Sequence, residues 1–252
     1  MSGHSQFKNI MYRKGAQDAK RAKVFAKIGR EILVAAKMGS PDPQANPRLR
    51  SALAAARSEN MPNDNVSRIL KKAAGDDNIE SYEDVRFEGF GVGGVSVIVE
   101  ALTDNRNRTV PEIRSAFSKY GGNLGDVGSV SFMFDHLGAV AFAKDGLTFD
   151  SLFEKAAEAG AENVEEAEDE FVVVSTVESF GAVRDFVTEH VKEPIRAEII
   201  WKPKNLVECD FETVKTLLKM IDVLEDNDDV QKVFTNFSCS SEVQRQLDEE
   251  FS

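Results

Sequence analysis

The sequence predicts an α+β protein: an N-terminal three-helix domain followed by two ferredoxin-like α/β domains, one inserted in the other. Three observations carry that expectation. Apolar residues recur at helical spacing up to Gly75, strand-like runs begin at Tyr82, and the sign of the charge reverses between the two. Residues 1–75 hold 15 Lys or Arg against 5 Asp or Glu, a net of +10, and the rest of the chain holds 16 against 38. The overall net charge of −12 therefore hides a basic block joined to an acidic one. Such a split fits a nucleic-acid-binding module attached to parts that would repel nucleic acid.

Between Gly3 and Met38 nine Lys or Arg stand against two acids. At about 100° per residue, Lys20, Lys23, Lys27 and Arg30 fall on one arc of a helix, and Phe25, Ile28, Ile32 and Ala36 fall roughly opposite. One face packs and the other can meet an anion. A solvated amphipathic helix would show the same pattern, so the charge split is what turns the reading toward a polyanion, where each neutralised phosphate releases counterions.

Met38 to Pro47 reads as a turn, with Asn46 placed to cap the next helix and Pro47 suited to its first position. That helix runs to about Ser58, with Leu49, Ala52, Leu53 and Ala56 on one stripe. After a break at Asn60 to Asn63, a third helix turns Val66, Ile69, Leu70 and Ala73 inward and Arg68, Lys71 and Lys72 outward. Gly75 ends it, and Asp76 to Ser81 is a polar linker.

Tyr82 to Phe90 and Val95 to Leu102 are expected strands. The glycines between them are followed by a strand rather than a helix, which argues for a hairpin against a phosphate-binding loop. Thr109 with Glu112 forms a candidate capping box for a helix ending at Gly121 and Gly122. Asp104 to Arg108 would then be a strand-to-helix loop. There Arg106 and Arg108 either meet phosphate beside a helix N-terminus, or Asp104 and Asn107 bond the local backbone and the arginines pair with acids on the side of the third domain. A strand at Ser129 to Phe134 closes this unit.

Strand 138–143, helix 149–159, strands 164–168 and 171–176, helix 179–190 and strand 195–201 spell βαββαβ. A strand at Asn205 to Cys209, a helix carrying Phe211, Val214, Leu217, Leu218, Ile221 and Leu224, and a strand at Val230 to Phe237 follow. The halves at 93–134 and 205–237 together make a second βαββαβ unit around the first. The expected domains are thus 1–75, 82–134 with 205–240, and 135–204, with an acidic tail at 242–252.

Catalytic chemistry is missing from the pattern. Cys209 and Cys239 lack a metal-binding or disulfide spacing and read as reduced thiols. The acid runs at Glu165 to Glu170 and Asp226 to Asp229 lack the glycine and distal glutamate of a calcium loop and read as solvated. His4 has no partner for acid–base work. No apolar run reaches the 18 or so residues of a membrane span, and the N-terminus has no signal-peptide core. The expectation is a cytoplasmic, monomeric protein with no cofactor, no metal, no membrane partner and no enzymatic activity.

Four blocks, GHSQFKNIMYRKGAQDAKRAKVFAKIGREI, NPRLRSALAAARSENMPNDNVSRILKKAAG, LTDNRNRT and GGNLGDVGSVSFMF, resemble the YebC/PmpR family, which includes mitochondrial translational activators of cytochrome oxidase. The resemblance implies the nested domains and a regulator of gene expression. One side of the family implies a DNA-binding transcriptional regulator. The other implies a ribosome-associated translation factor that binds ribosomal RNA; a protein-interaction module without nucleic acid is the third alternative. The expected partners are DNA or ribosomal RNA, with the transcription machinery or the ribosome. Candidate nucleic-acid-binding residues are His4, Lys8, Asn9, Arg13, Lys14, Lys20, Arg21, Lys23, Lys27, Arg30, Arg106 and Arg108. Backbone phosphate chemistry serves both ligands, although the rings and amides of Phe7, Asn9 and Tyr12 would suit unpaired RNA bases.

Overall fold

The computed structural model describes residues 17–75 and 82–251. They divide into two compact units. One joins residues 28–75 to 136–201; the other joins 17–27 to 82–135 and 202–251.

In the first unit, helix α1 (Gln17–Met38, of which this unit takes the part from Ile28) buries Ile32, Val34, Ala35 and Ala36. Gly29 is what lets the helix carrying Ile69 approach, since a Cβ there would stand 3.0 Å from the Ile69 side chain. Asn46 joins α1 to α2 (Pro47–Ser58). Its side-chain oxygen accepts from the Leu49 N–H at 3.0 Å, and its amide donates to the carbonyls of Ala35 and Ser40, each at 2.7 Å. One buried side chain thereby satisfies the start of one helix and the end of another. Asn60, in the left-handed region at φ 56°, turns the chain into α3 (Asn63–Gly75).

The same unit holds β4 (Phe134–Ala143), α5 (Phe149–Glu158), β5 (Asn163–Glu166), β6 (Glu170–Thr176), α6 (Phe180–His190) and β7 (Arg196–Pro203), the outer residues of β4 and β7 reaching into the second unit. Spatial order is β5-β6-β4-β7, as a βαββαβ ferredoxin-like fold requires. Val140, Phe142, Val164 and Val173 of the sheet pack against Leu152 and Ala156 of α5 and Val183 and Val187 of α6. Burying each such side chain is worth roughly 1.5–3 kcal/mol.

The second unit is built on β1 (Glu83–Phe90), β2 (Ser96–Thr103) and β9 (Val230–Thr235), with the two-residue β3 (Asn123–Leu124) at the edge, in the order β3-β1-β2-β9. Helices α4 (Arg106–Lys119) and α7 (Phe211–Asp226) supply Ile113, Phe117, Val214, Leu217, Ile221 and Leu224 to its core. Central strand β2 is buried along almost its whole length, which accounts for its apolar run SVIVEALT.

Four sequence expectations are corrected here. The strand expected at Ser129 to Phe134 does not form: residues 129–133 are outside any strand, and Phe134 instead opens β4. Buried Glu88 accepts the Val130 and Ser131 N–H groups at 3.0 and 2.8 Å, so those donors are withdrawn from any ladder, and the edge position falls to β3. The segment after Pro203 does not enter the main sheet either. Buried Asn236 takes the Ser96 N–H at 2.7 Å and interrupts the strand after β9, and β8 (Val207–Glu208) pairs in parallel with β10 (Phe237–Ser238) instead. Thr109 is not an N-cap, because the cap of α4 is Asn105, four residues earlier, whose side chain accepts from the Arg108 N–H. The acidic tail is helix α8 (Ser241–Phe251), which inserts fully buried Leu247 into the core and ties Glu250 to Lys215.

Candidate nucleic-acid interface

Of the residues singled out from sequence, His4, Lys8, Asn9, Arg13 and Lys14 lie outside the described residues, and Lys20 lies on α1 with its side chain outside them. The others fall into the two units and are taken unit by unit.

In the second unit Arg21 is exposed, its guanidinium 5.4 Å from the Phe25 ring centroid. Two residues on, the Lys23 ammonium donates to the Asp226 carboxylate at 2.6 Å. A helical turn beyond that, the Lys27 ammonium donates to the Glu225 carbonyl at 2.6 Å. That carbonyl belongs to the last turn of α7, where unpaired C=O groups and the negative end of the helix dipole attract a cation. Burial pulls the Lys27 ammonium below the ordinary lysine value, and Glu225, Asp226 and Asp228 oppose that pull.

Arg108 reaches the same segment from the opposite element. It sits in the first turn of α4, not in a loop, and donates to Asp229 at 2.7 Å and to Asp104 at 3.0 Å. Asp229 is buried and also accepts from the hydroxyls of Thr109 at 2.7 Å and Thr103 at 3.1 Å. Burial works to raise the Asp229 carboxyl, but the three donors outweigh it and hold the group below its ordinary value. Asp229 is therefore not a solvated acid, and Arg108 pairs with acids of the same unit, Asp104 and Asp229, rather than with acids on the side of the third domain. Arg106, two residues earlier at the same helix end, is exposed.

Residues 225–229, Glu-Asp-Asn-Asp-Asp, thus touch three of the sequence-selected cations: Lys23, Lys27 and Arg108. Asn227 extends the contact by donating to Glu112 on α4 at 2.7 Å. No local pattern announces this convergence, because the partners are separated by 121 to 203 positions along the chain.

In the first unit Arg30 is half-buried, and two arginines of α2 serve the fold: Arg48 pairs with Glu31 at 2.6 Å, while Arg50 donates to the carbonyls of Pro43 and Gln44 and lies 3.5 Å from Asp185. The exposed cations are Arg57 at the end of α2 and Arg68, Lys71 and Lys72 on α3. Their outward placement was readable from the helical spacing, but they were absent from the candidate set, which followed the longer basic arc of α1.

Among the described residues no group of three or more His, Cys, Asp or Glu is placed to hold a metal, and no helix is long and apolar enough to cross a membrane. Cys209 and Cys239 are free thiols, both pushed up by burial, which disfavours the reactive thiolate.

A basic helical segment thus precedes two sheets, the strands of one lying in the chain between those of the other, and this defines a class of multidomain α+β protein. Comparison with known proteins places it more closely. Residues 5–76 match the TACO1/YebC protein N-terminal domain, and residues 82–237 match the TACO1/YebC second and third domain. A crystal structure of a conserved hypothetical protein from Aquifex aeolicus is similar at 41% identity and a TM-score of 0.79, over 91% of this chain and 95% of that one. The chain belongs to the TACO1/YebC family.

Proposed function

We propose that this protein is a non-enzymatic regulator of gene expression that binds nucleic acid, as a DNA-binding transcriptional regulator, through cations of its N-terminal helical segment. The observation that carries the reading is the charge split: +10 over residues 1–75 against an acidic remainder, with Arg57, Arg68, Lys71 and Lys72 presented to solvent. Lysine and arginine on helix faces grip backbone phosphate more than base edges, so affinity exceeds sequence selectivity. The acidic domains repel nucleic acid and act as adaptors toward protein partners.

Ribosomal RNA is the second reading. It is favoured by the aromatic and amide side chains of Phe7, Asn9 and Tyr12 in the basic N-terminal stretch, which suit unpaired bases better than a smooth duplex.

The test is a salt titration of the purified full chain against a labelled DNA duplex and a ribosomal RNA fragment. Neutralising roughly five to eight phosphates on duplex DNA gives a slope of log affinity against log salt of about −5 to −7. Preference for the RNA at matched salt, with co-sedimentation on ribosomes, selects the second reading. An affinity indifferent to salt removes both.

A further inference from the structure

The acidic segment 225–229 is made of the same chemistry that a nucleic-acid strand would offer. It presents a carboxylate to Lys23 at 2.6 Å, a dipole-charged helix carbonyl to Lys27 at 2.6 Å, and a carboxylate to Arg108 at 2.7 Å. These are three of the cations a phosphate backbone would use, held by anionic or electron-rich oxygens at hydrogen-bond distance. We propose that Glu225 to Asp229 is an internal competitor for the nucleic-acid face, a phosphate mimic that an incoming strand displaces from Lys23 and Lys27. This rests on the nucleic-acid reading above and adds a regulation to it.

The three contacts differ in how easily they exchange. Asp229 is buried among Thr103, Thr109 and Arg108, so that end anchors the segment in the fold. The Lys23–Asp226 pair is open to water, with the two side chains 43% and 71% exposed. Exposed ion pairs are weak and salt-screened, and can trade partners with a polyanion. Lys27 gives up a carbonyl at the helix end for a phosphate oxygen. Competition therefore acts at the Lys23 and Lys27 end, while the Arg108 end stays closed. Binding weakens because each phosphate gained there costs an internal contact, and short or sparsely charged strands, which make few other contacts, are rejected first.

The experiment uses the full chain and three proteins: the natural sequence, Asp226→Asn with Asp228→Asn, and a control with Glu158→Gln and Glu162→Gln, which removes the same charge from the other compact unit. Each is titrated against a 20-base-pair DNA duplex and a 20-nucleotide single-stranded RNA over a series of KCl concentrations. Release of the competitor raises affinity of the first variant about threefold to tenfold over the control and steepens the salt slope by about one, since no Lys23–Asp226 pair is left to be broken against the counterions the strand releases. Acetylation of Lys23 by an amine-reactive reagent, read by mass spectrometry, rises in parallel. Equal affinity, slope and acetylation in variant and control overturn the competitor while leaving nucleic-acid binding in place. If none of the three proteins binds either strand, the function proposed above fails and the competitor with it.

Discussion

Two acidic runs of nearly equal composition meet opposite fates. Residues 225–229 carry four acids in five positions and residues 165–170 carry five in six. The first closes the end of α7, buries Asp229 and draws in Lys23, Lys27 and Arg108 from distant parts of the sequence. The second flanks the β5–β6 turn, where Glu166 pairs with Lys144 and Glu170 with Arg196, while Glu168 and Asp169 remain exposed. Composition therefore says little about an acid run. What separates them is whether the fold brings donors to a carboxylate before water does, because a buried carboxylate persists only when its lone pairs are taken up.

That contrast is broken most directly at Asp229. Asp229→Ala strips the acceptor from Arg108, Thr103 and Thr109 and should lower the unfolding free energy by about 3 kcal/mol in urea denaturation. A loss below about 1 kcal/mol would show that the two runs are alike after all.

Acid titration sharpens the comparison next. Glu88 and Asp229 are both held below their ordinary values of 4.5 and 3.8. For Glu88, burial pushes upward, and the N–H groups of Val130, Gly128 and Ser131, with Arg86, pull further down. Groups depressed in the folded state stabilise it fully above their unfolded values and lose that contribution as pH falls through the folded ones. The thermal midpoint should thus fall steeply below about pH 4 in the natural protein. It should fall less steeply, from a lower starting point, in Asp229→Asn.

A smaller effect is expected on the basic side. Lys71→Glu with Lys72→Glu, both exposed on α3, should weaken duplex binding about tenfold and flatten the salt slope by about two, with the melting temperature unchanged. Retained affinity would move the phosphate grip elsewhere. The smallest is Glu168→Ala in the solvated run, which should alter stability by less than about 0.5 kcal/mol.

Legibility followed the range of the interactions. The Asn46–Pro47 helix start and the strand and helix alternation of the inserted sheet were readable because each signal lies within a few residues of what it specifies. Thr109 misled because its hydroxyl answers Asp229, 120 positions away, and not its own helix terminus. Ser129 to Phe134 looked like a strand because nothing nearby reveals that Glu88 takes its donors. The tail looked solvated because one leucine, Leu247, decides its burial among many charges. The same rule governs the candidate site: basic faces were visible at helical spacing, whereas the oxygens of Glu225, Asp226 and Asp229 that meet Lys27, Lys23 and Arg108 come from the far end of the chain.

The way the chain enters and leaves the nested sheet has a consequence for how such a protein can be rebuilt. Strands β4 and β7 are neighbours, and at their outer ends the Lys204 N–H donates to the Met133 carbonyl at 2.9 Å. Departure and return points of some seventy residues are therefore stitched side by side, so excising that stretch leaves two ends already within reach of a short turn. The host sheet takes all its strands from outside the excised stretch. Cutting the nested module out therefore spares the host sheet, and the cost falls on residues 28–75, which share one compact unit with it and would lose contacts such as Arg184 to Ser51.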